Sequence, residues 1–255
     1  MNDHDFSTVT EIPGNKASLE QLSMIHTRYR LAYDFCADKD VLEAACGPGR
    51  ALGYLAQKAR SVVGGDLSQN LVDLANRHYG GRISVVRMDV QAMPWADHSF
   101  DVVILYEALY YLPDVDRFIA EARRILRPEG VLLLCTPNCE WEGFNPSPFS
   151  RKYFSASELR LWLEKAGFTV QIKACFKVSH DTLKQKAVSA ARKAAVTLGL
   201  IPKTMKGKTF LKRLFYGQLS ELGPEIDTTA PAKVPVSVEP RHLPNYKVLY
   251  AIAKR

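Results

Sequence analysis

The chain has 255 residues, 47% hydrophobic and 24% charged, which suits one large core, with or without a small accessory part, in an ordinary globular protein. No apolar run is long enough to span a bilayer, and the opening MNDHDFSTVTEIPGNK lacks the charged-then-apolar pattern of a signal peptide, so the cytoplasm is the expected location. The net charge of +7 is local: residues 181–213 carry nine Lys/Arg against Asp181 alone, and the rest of the chain sums to −1. In chain order, Leu19, Leu22, Met24/Ile25, Tyr29, Leu31/Ala32 and Phe35 predict one or two amphipathic helices. Strands and helices then alternate: strand 41–45, helix 50–57, strand 61–65, helix 69–77, and strands 83–88 and 100–105. Helix 115–126 follows, with Asp114 and Asp116 at its start and Arg123, Arg124 and Arg127 at its end. After the Pro128-Glu129-Gly130 turn come strand 131–136, a helix over 155–166 capped by Ser155 or Ser157 and stopped by Gly167, and strands 169–177 and 246–253.

Apolar strands separated by helices predict a parallel sheet covered on both faces, doubly wound, with ligands at the carboxyl ends of the strands. The roughly 65 residues between the last two strands are too many for a plain connection. They read as an inserted helical cap with a less ordered, proline-punctuated tail (Pro224, Pro231, Pro235, Pro240, Pro244). The five cysteines (Cys36, Cys46, Cys135, Cys139, Cys175) show no second pair at ligand spacing, and buried reduced thiols are expected rather than a metal site.

One stretch, VLEAACGPGRALGYLA (41–56), runs a strand into a glycine turn and then into a helix. A dinucleotide turn reads G-x-G-x-x-G and cradles a pyrophosphate on backbone N–H groups. Here Gly47-Pro48-Gly49-Arg50-Ala51-Leu52 lacks the third glycine. Glu43, just before the turn, is awkward beside a pyrophosphate but natural beside an ammonium or sulfonium. Asp66 ends the next strand, 17 residues after Gly49, where an acid can accept from both hydroxyls of a ribose. Asp89 ends the third, where a carboxylate can accept from an adenine amino group. Each feature has a plain structural reading as a packing turn or a helix cap. Together, at successive strand ends, they point to a cationic adenosine cofactor.

With VLEAACGPG, VVGGDLSQNLVDLA, VVRMDVQAMPWADHSFDVVI, RRILRPEGVLLL and KYFSASELRLWLEKAGF in this order, residues 24–170 resemble a class I S-adenosylmethionine (SAM)-dependent methyltransferase. The resemblance implies SAM as cofactor and an α/β, Rossmann-like, doubly wound seven-stranded sheet of order 3-2-1-4-5-7-6. Its last strand is antiparallel, a place that YKVLYAIAKR fits. The expected organisation is N-terminal helices covering the cofactor (1–40), a SAM-binding core (41–177), a basic helical insert (178–245) and the final core strand (246–255). By the same resemblance Glu43, Ala45, Gly47 and Gly49 line the methionine half of the cofactor. Asp66 and Leu67 hold ribose and adenine, Asp89 and the Val90 backbone hold the adenine edge, and Tyr106 closes the pocket. His26, Arg28 or Tyr29 would meet the cofactor carboxylate, with a surface-helix reading of all three left open.

Methyl transfer is an in-line displacement at a good leaving group, so the protein chiefly aligns the acceptor and removes a proton from it. The segment ILYEALYYLPD (104–114) follows the fourth strand, where many relatives carry E-x-L-E-H. Glu107 matches the first Glu, but Tyr110 and Tyr111 replace the later Glu-His pair, so a His base is absent there. Glu107 is the candidate base, with acceptor-binding and structural readings beside it. Tyr110 and the loop residues Phe144, Asn145 and Tyr153 form the candidate acceptor site, against a plain reading of the loop (with Trp141, Ser147 and Phe149) as packing on the sheet. The loop's F-N-P-S-P pattern and IPKTMKGKTFLKRLFYGQL are similar to methyltransferases found with bacterial glycan and cell-envelope pathways.

In the basic segment, Leu183, Ala187, Ala190/Ala191, Ala194 and Leu198 fall on one helical face, with the cations away from it. It reads as a cap over an anionic acceptor, as an attachment to the inner face of an anionic membrane that suits a lipid-linked acceptor, or as a solvated face. Nothing points to DNA, and no RNA-binding signature accompanies the charge. The favoured expectation is an enzyme methylating a hydroxyl or amino group of a small, sugar-like or glycan acceptor. The alternative is a SAM-binding regulatory or partner protein without turnover.

Overall fold

A computed structural model describes residues 9–178 and 219–255. A short strand β1 (Lys16–Ser18) leads into α1 (Leu19–Tyr33), a single helix where one or two were expected. Ser18 caps it reciprocally with Gln21, each satisfying a backbone N–H of the other. Then follow β2 (Asp40–Ala44), α2 (Leu52–Ala56), β3 (Ser61–Asp66), α3 (Gln69–Tyr79), β4 (Ser84–Arg87), β5 (Phe100–Tyr106) and α4 (Val115–Ile125). Next come β6 (Leu126–Pro137), α5 (Ala156–Lys165), β7 (Thr169–Lys177), β8 (Leu219–Glu221), β9 (Val236–Ser237) and β10 (Tyr246–Lys254). The Pro128–Gly130 turn lies inside β6, because Leu126 already pairs with Phe100 before the register shifts.

The main sheet runs β4-β3-β2-β5-β6-β10-β7-β9, parallel from β4 to β6, with β10 antiparallel to both β6 and β7. Setting aside β9, this is the expected order with the last strand reversed. Strand side chains alternate between two cores. Val102, Ile104 and Tyr106 face the layer of α1, α2 and α3, while Val103 and Leu105 face α4 and α5. Cys36, Cys46, Cys135 and Cys175 are buried free thiols. No described helix is long and apolar enough to cross a membrane.

The expected helical insert (178–245) needs a correction where it is described, while its basic amphipathic stretches fall within 179–218, outside the described residues. Residues 219–245 are extended segments with two short strands. Their prolines lack the N–H a helix needs, and their carbonyls bind α1 instead. Ser23 Oγ donates to the Pro231 carbonyl at 2.5 Å, His26 Nδ1 lies 2.6 Å from the Ala230 carbonyl, and Lys233 N–H donates to Thr27 Oγ1 at 2.9 Å. The tail expected to be loose is a strap, and it explains why Ser23 and Thr27 are buried polar residues.

Candidate functional site

The chain leaves β2 through a turn with Ala45 (φ 56°), Gly47 (φ 59°) and Gly49 (φ 73°) all in the left-handed region. A Cβ on Gly49 would sit 3.0 Å from Leu52 and 3.1 Å from Ala75, so conformation and the close approach of α3 both demand glycine there. Gly47 N–H donates to Asp66 Oδ2 at 2.8 Å, and Ser68 N–H donates to Oδ1 at 2.9 Å. Asp66 thereby ties the turn after β2 to the turn after β3, and each of its oxygens keeps a lone pair for a further donor. Burial raises its carboxyl, against the pull of those N–H groups. Beside it Leu67 is 41% exposed. Met88 N–H donates to the Asp66 carbonyl at 2.9 Å, bringing the end of β4 alongside. There Asp89 Oδ1 accepts from Gln91 N–H at 2.9 Å, and Val90 is buried.

A second cluster lies between α1 and the sheet. Glu43 is 2% exposed; the Tyr29 hydroxyl donates to its Oε1 at 2.6 Å, while Oε2 is buried without a partner. Burial pushes Glu43 up to about 7, against the Tyr29 bond and the Arg28 charge. Buried Arg28 pairs through Nη2 with Glu11, and its Nη1 is 4.0 Å from Glu107 Oε1. The Tyr106 ring packs on Tyr29 with centroids 5.6 Å apart. Among the described residues the buried polar side-chain atoms without a partner are Arg28 Nε, Glu43 Oε2, Tyr106 OH and Tyr250 OH. The first three belong to this cluster, and Tyr250 pairs in register with Cys135 beside it. Such atoms are costly to leave dry and mark where a polar ligand or water would be held. His26 does not join them; it faces the strap.

The third cluster follows β5. Glu107 (φ 56°) sits in a strained turn whose N–H donates to the Cys135 carbonyl at 2.9 Å. Its Oε2 accepts from the Tyr110 hydroxyl at 3.1 Å and its Oε1 from the Cys135 thiol at 3.5 Å. The side chain is 28% exposed, and burial raises its carboxyl against the Arg28 charge. Tyr110 stacks on Tyr153 at 4.6 Å, and Phe144 meets Tyr153 edge-on at 4.7 Å. The loop is tied down by Arg151 N–H to the Tyr110 carbonyl (2.7 Å), Ser147 N–H to Tyr153 OH (2.9 Å) and Tyr111 OH against Ser147 Oγ (2.5 Å). Asn145, next to Phe144 on that loop, is exposed. A raised carboxyl beside these stacked rings can accept a proton from a hydroxyl or amine.

Sequence reasoning missed Glu11 and the bond from Cys135 to Glu107. The alternation of β6 could have placed Cys135 on the α1 face. Nothing periodic marks Glu11.

Residues 42–134 match the family described as "Methyltransferase domain". A probable S-adenosylmethionine-dependent methyltransferase of Mycolicibacterium smegmatis is 37% identical over 148 residues, covering 56% of each chain. The phthiotriol/phenolphthiotriol dimycocerosates methyltransferase 1 of Mycobacterium ulcerans is 40% identical over 98 residues, 37% of this chain and 36% of that one. The chain thus matches about half the length, or less, of these curated relatives. In fold, a SAM-dependent methyltransferase from Archaeoglobus fulgidus superposes with a TM-score of 0.58 at 16% identity, over 94% of this chain and 95% of that one. Residues 42–134 thus match a methyltransferase domain, the fold is the Rossmann-like one of SAM-dependent methyltransferases, and SAM is the cofactor that these relatives imply.

Proposed function

We propose that the chain transfers a methyl group from SAM to a hydroxyl or amino group of a small polar acceptor, sugar-like or glycan-related. The observation that carries the cofactor half is the buried Glu43 beside the glycine turn, its Oε2 lacking any partner. An acid so placed repels a pyrophosphate and suits a cation. Glu43 would take the cofactor's ammonium, the turn from Ala45 to Gly49 would pass close to its methionine half, and Arg28 would take its carboxylate. Asp66 would accept from the ribose hydroxyls, with Leu67, Asp89 and Val90 around the adenine and Tyr106 walling the pocket. Bound SAM supplies a methyl group already activated on a sulfonium.

The chain's own residues then have two tasks. Tyr110, Tyr153 and Phe144 present flat faces that orient the acceptor, with Asn145 at the rim. Glu107 accepts the acceptor's proton, and Tyr110 and Cys135 hold its two oxygens in place. A lipid-linked acceptor is the second reading, favoured by the name of the Mycobacterium ulcerans relative. The test is transfer of a radiolabelled methyl group from SAM into the polar-glycan and lipid fractions of the host. Label in the lipid fraction alone would replace the first reading with the second; label in neither, with SAM bound, would leave a binding protein without turnover.

A further inference from the structure

Thr10, at the start of the arm 10–15, lies against the glycine turn. A Cβ on Gly47 would lie 3.1 Å from Thr10 Cγ2, so the arm occupies the space directly over the turn. The next residue, Glu11, reaches down to Arg28. The Arg28 side chain is 10% exposed and that of Glu11 is 42% exposed: a buried cation is met by a carboxylate arriving from the surface. The other nearby acid, Glu107, stands off at 4.0 Å. Behind Glu11 the arm is anchored, with Gly14 N–H donating to the Leu222 carbonyl at 2.9 Å and Leu222 N–H to the Asn15 carbonyl at 2.8 Å. β1 and β8 continue that ladder. That ladder begins at Gly14, so Glu11 lies outside it and meets the core through its ion pair with Arg28.

An α-amino acid carries its ammonium and carboxylate on one carbon, so its receptor needs an acid and a guanidinium side by side. Glu43 and Arg28 are such a pair, joined through the adjacent Tyr29. The acid lacks a partner for one oxygen, while the guanidinium is already taken, by Glu11. We infer that the N-terminal arm is a built-in competitor of the cofactor: the Glu11 carboxylate stands on Arg28 in place of the ligand's amino-acid carboxylate, and the two exchange. This rests on the cofactor reading above. The arm therefore lowers affinity selectively for ligands that carry an amino-acid tail.

The test compares S-adenosylhomocysteine with 5′-methylthioadenosine, which shares the adenosine and thioether but has no amino-acid carboxylate, by calorimetry at low salt. Glu11→Gln keeps the size of the side chain and removes its charge. It should tighten S-adenosylhomocysteine by about fivefold, the scale of a partly exposed ion pair, and leave methylthioadenosine unchanged. Glu11→Ala should do the same. In the wild type, S-adenosylhomocysteine but not methylthioadenosine should speed hydrogen exchange at the amide of Ile12, which closes a turn onto the Thr10 carbonyl. If both ligands bind and Glu11→Gln leaves S-adenosylhomocysteine unchanged or weaker, or tightens both ligands alike, the competition is overturned while the cofactor reading stands. Binding of neither ligand to wild type or variant overturns both.

Discussion

The two ends of the sheet treat the same chemical group in opposite ways. At the end away from the site, Asp40 and Asp101 are met by Arg60 and Arg127: Arg127 Nη1 lies 2.8 Å from a carboxylate oxygen of each, and Arg60 donates to Asp40 through both Nε and Nη2. The Arg60 bonds hold the Asp40 carboxyl well below its ordinary range, and the Asp101 carboxyl is lowered too, its bonds to the Asp40 N–H and Arg127 outweighing burial. At the site end, Glu43, Asp66 and Glu107 are all raised, with burial the largest cause in each case. Structural acids are given their cations by the fold; the site acids are buried without enough of them. That deficit of positive charge suits the cationic cofactor proposed above.

The largest effect should come from Asp66→Ala, which removes a carboxylate proposed to bind two ribose hydroxyls and should weaken S-adenosylhomocysteine about a thousandfold in calorimetry. It also strips the Gly47 and Ser68 amides of their acceptor, so its melting temperature should fall as well. Unchanged affinity would break the comparison at its site end. Glu107→Gln should lower methyl transfer about a hundredfold, the scale of one general base, while cofactor affinity moves by less than about twofold. Equal turnover in the variant would return Glu107 to a structural role.

The two ends should also respond to pH with opposite signs. Glu43, raised to about 7 in the folded protein, holds its proton in the native state where the unfolded chain has lost it. Its contribution to ligand-free stability is therefore present at low pH and lost as pH rises through that window, on the order of 3 kcal/mol in all. SAM affinity should run the other way, tightening about tenfold from pH 6 to pH 8 as Glu43 ionises. Flattening of that slope in Glu43→Gln would assign it to Glu43. Asp40 is lowered, so its contribution is present above the ordinary carboxylate range and lost as pH falls below it. The smallest effect should be that of Asp40→Asn, about 1 kcal/mol in urea unfolding with cofactor affinity untouched. A change in affinity there would show that the two ends are coupled.

Much of the fold was legible because its signals are local. The apolar runs at β2, β3 and β5, the helical periods of α3 and α4 and the Ser155 cap of α5 each declare themselves within a dozen residues. The glycine turn and Asp66 were readable for the same reason: a backbone at positive φ calls for glycine, and a strand end places an acid at a known edge. The acceptor side was readable only as composition. Stacking of Tyr110 on Tyr153 and the bond from Cys135 to Glu107 join residues 43 and 28 positions apart, and such pairs leave no period in the chain.

The sequence by itself determined the order of strands and helices, the glycine turn and the acids at the ends of β2, β3 and β4, because periodicity and backbone conformation are properties of neighbours. Only the tertiary structure decided that Glu11 stands on Arg28, that a proline-rich tail straps α1 through Ser23, His26 and Thr27, and that Glu107 is held by Tyr110 and Cys135. Those are contacts between single polar atoms brought together from distances of up to 208 residues. Hydrogen bonds and ion pairs of that kind depend on where the finished sheet sets its edges, and no stretch of chain encodes them alone.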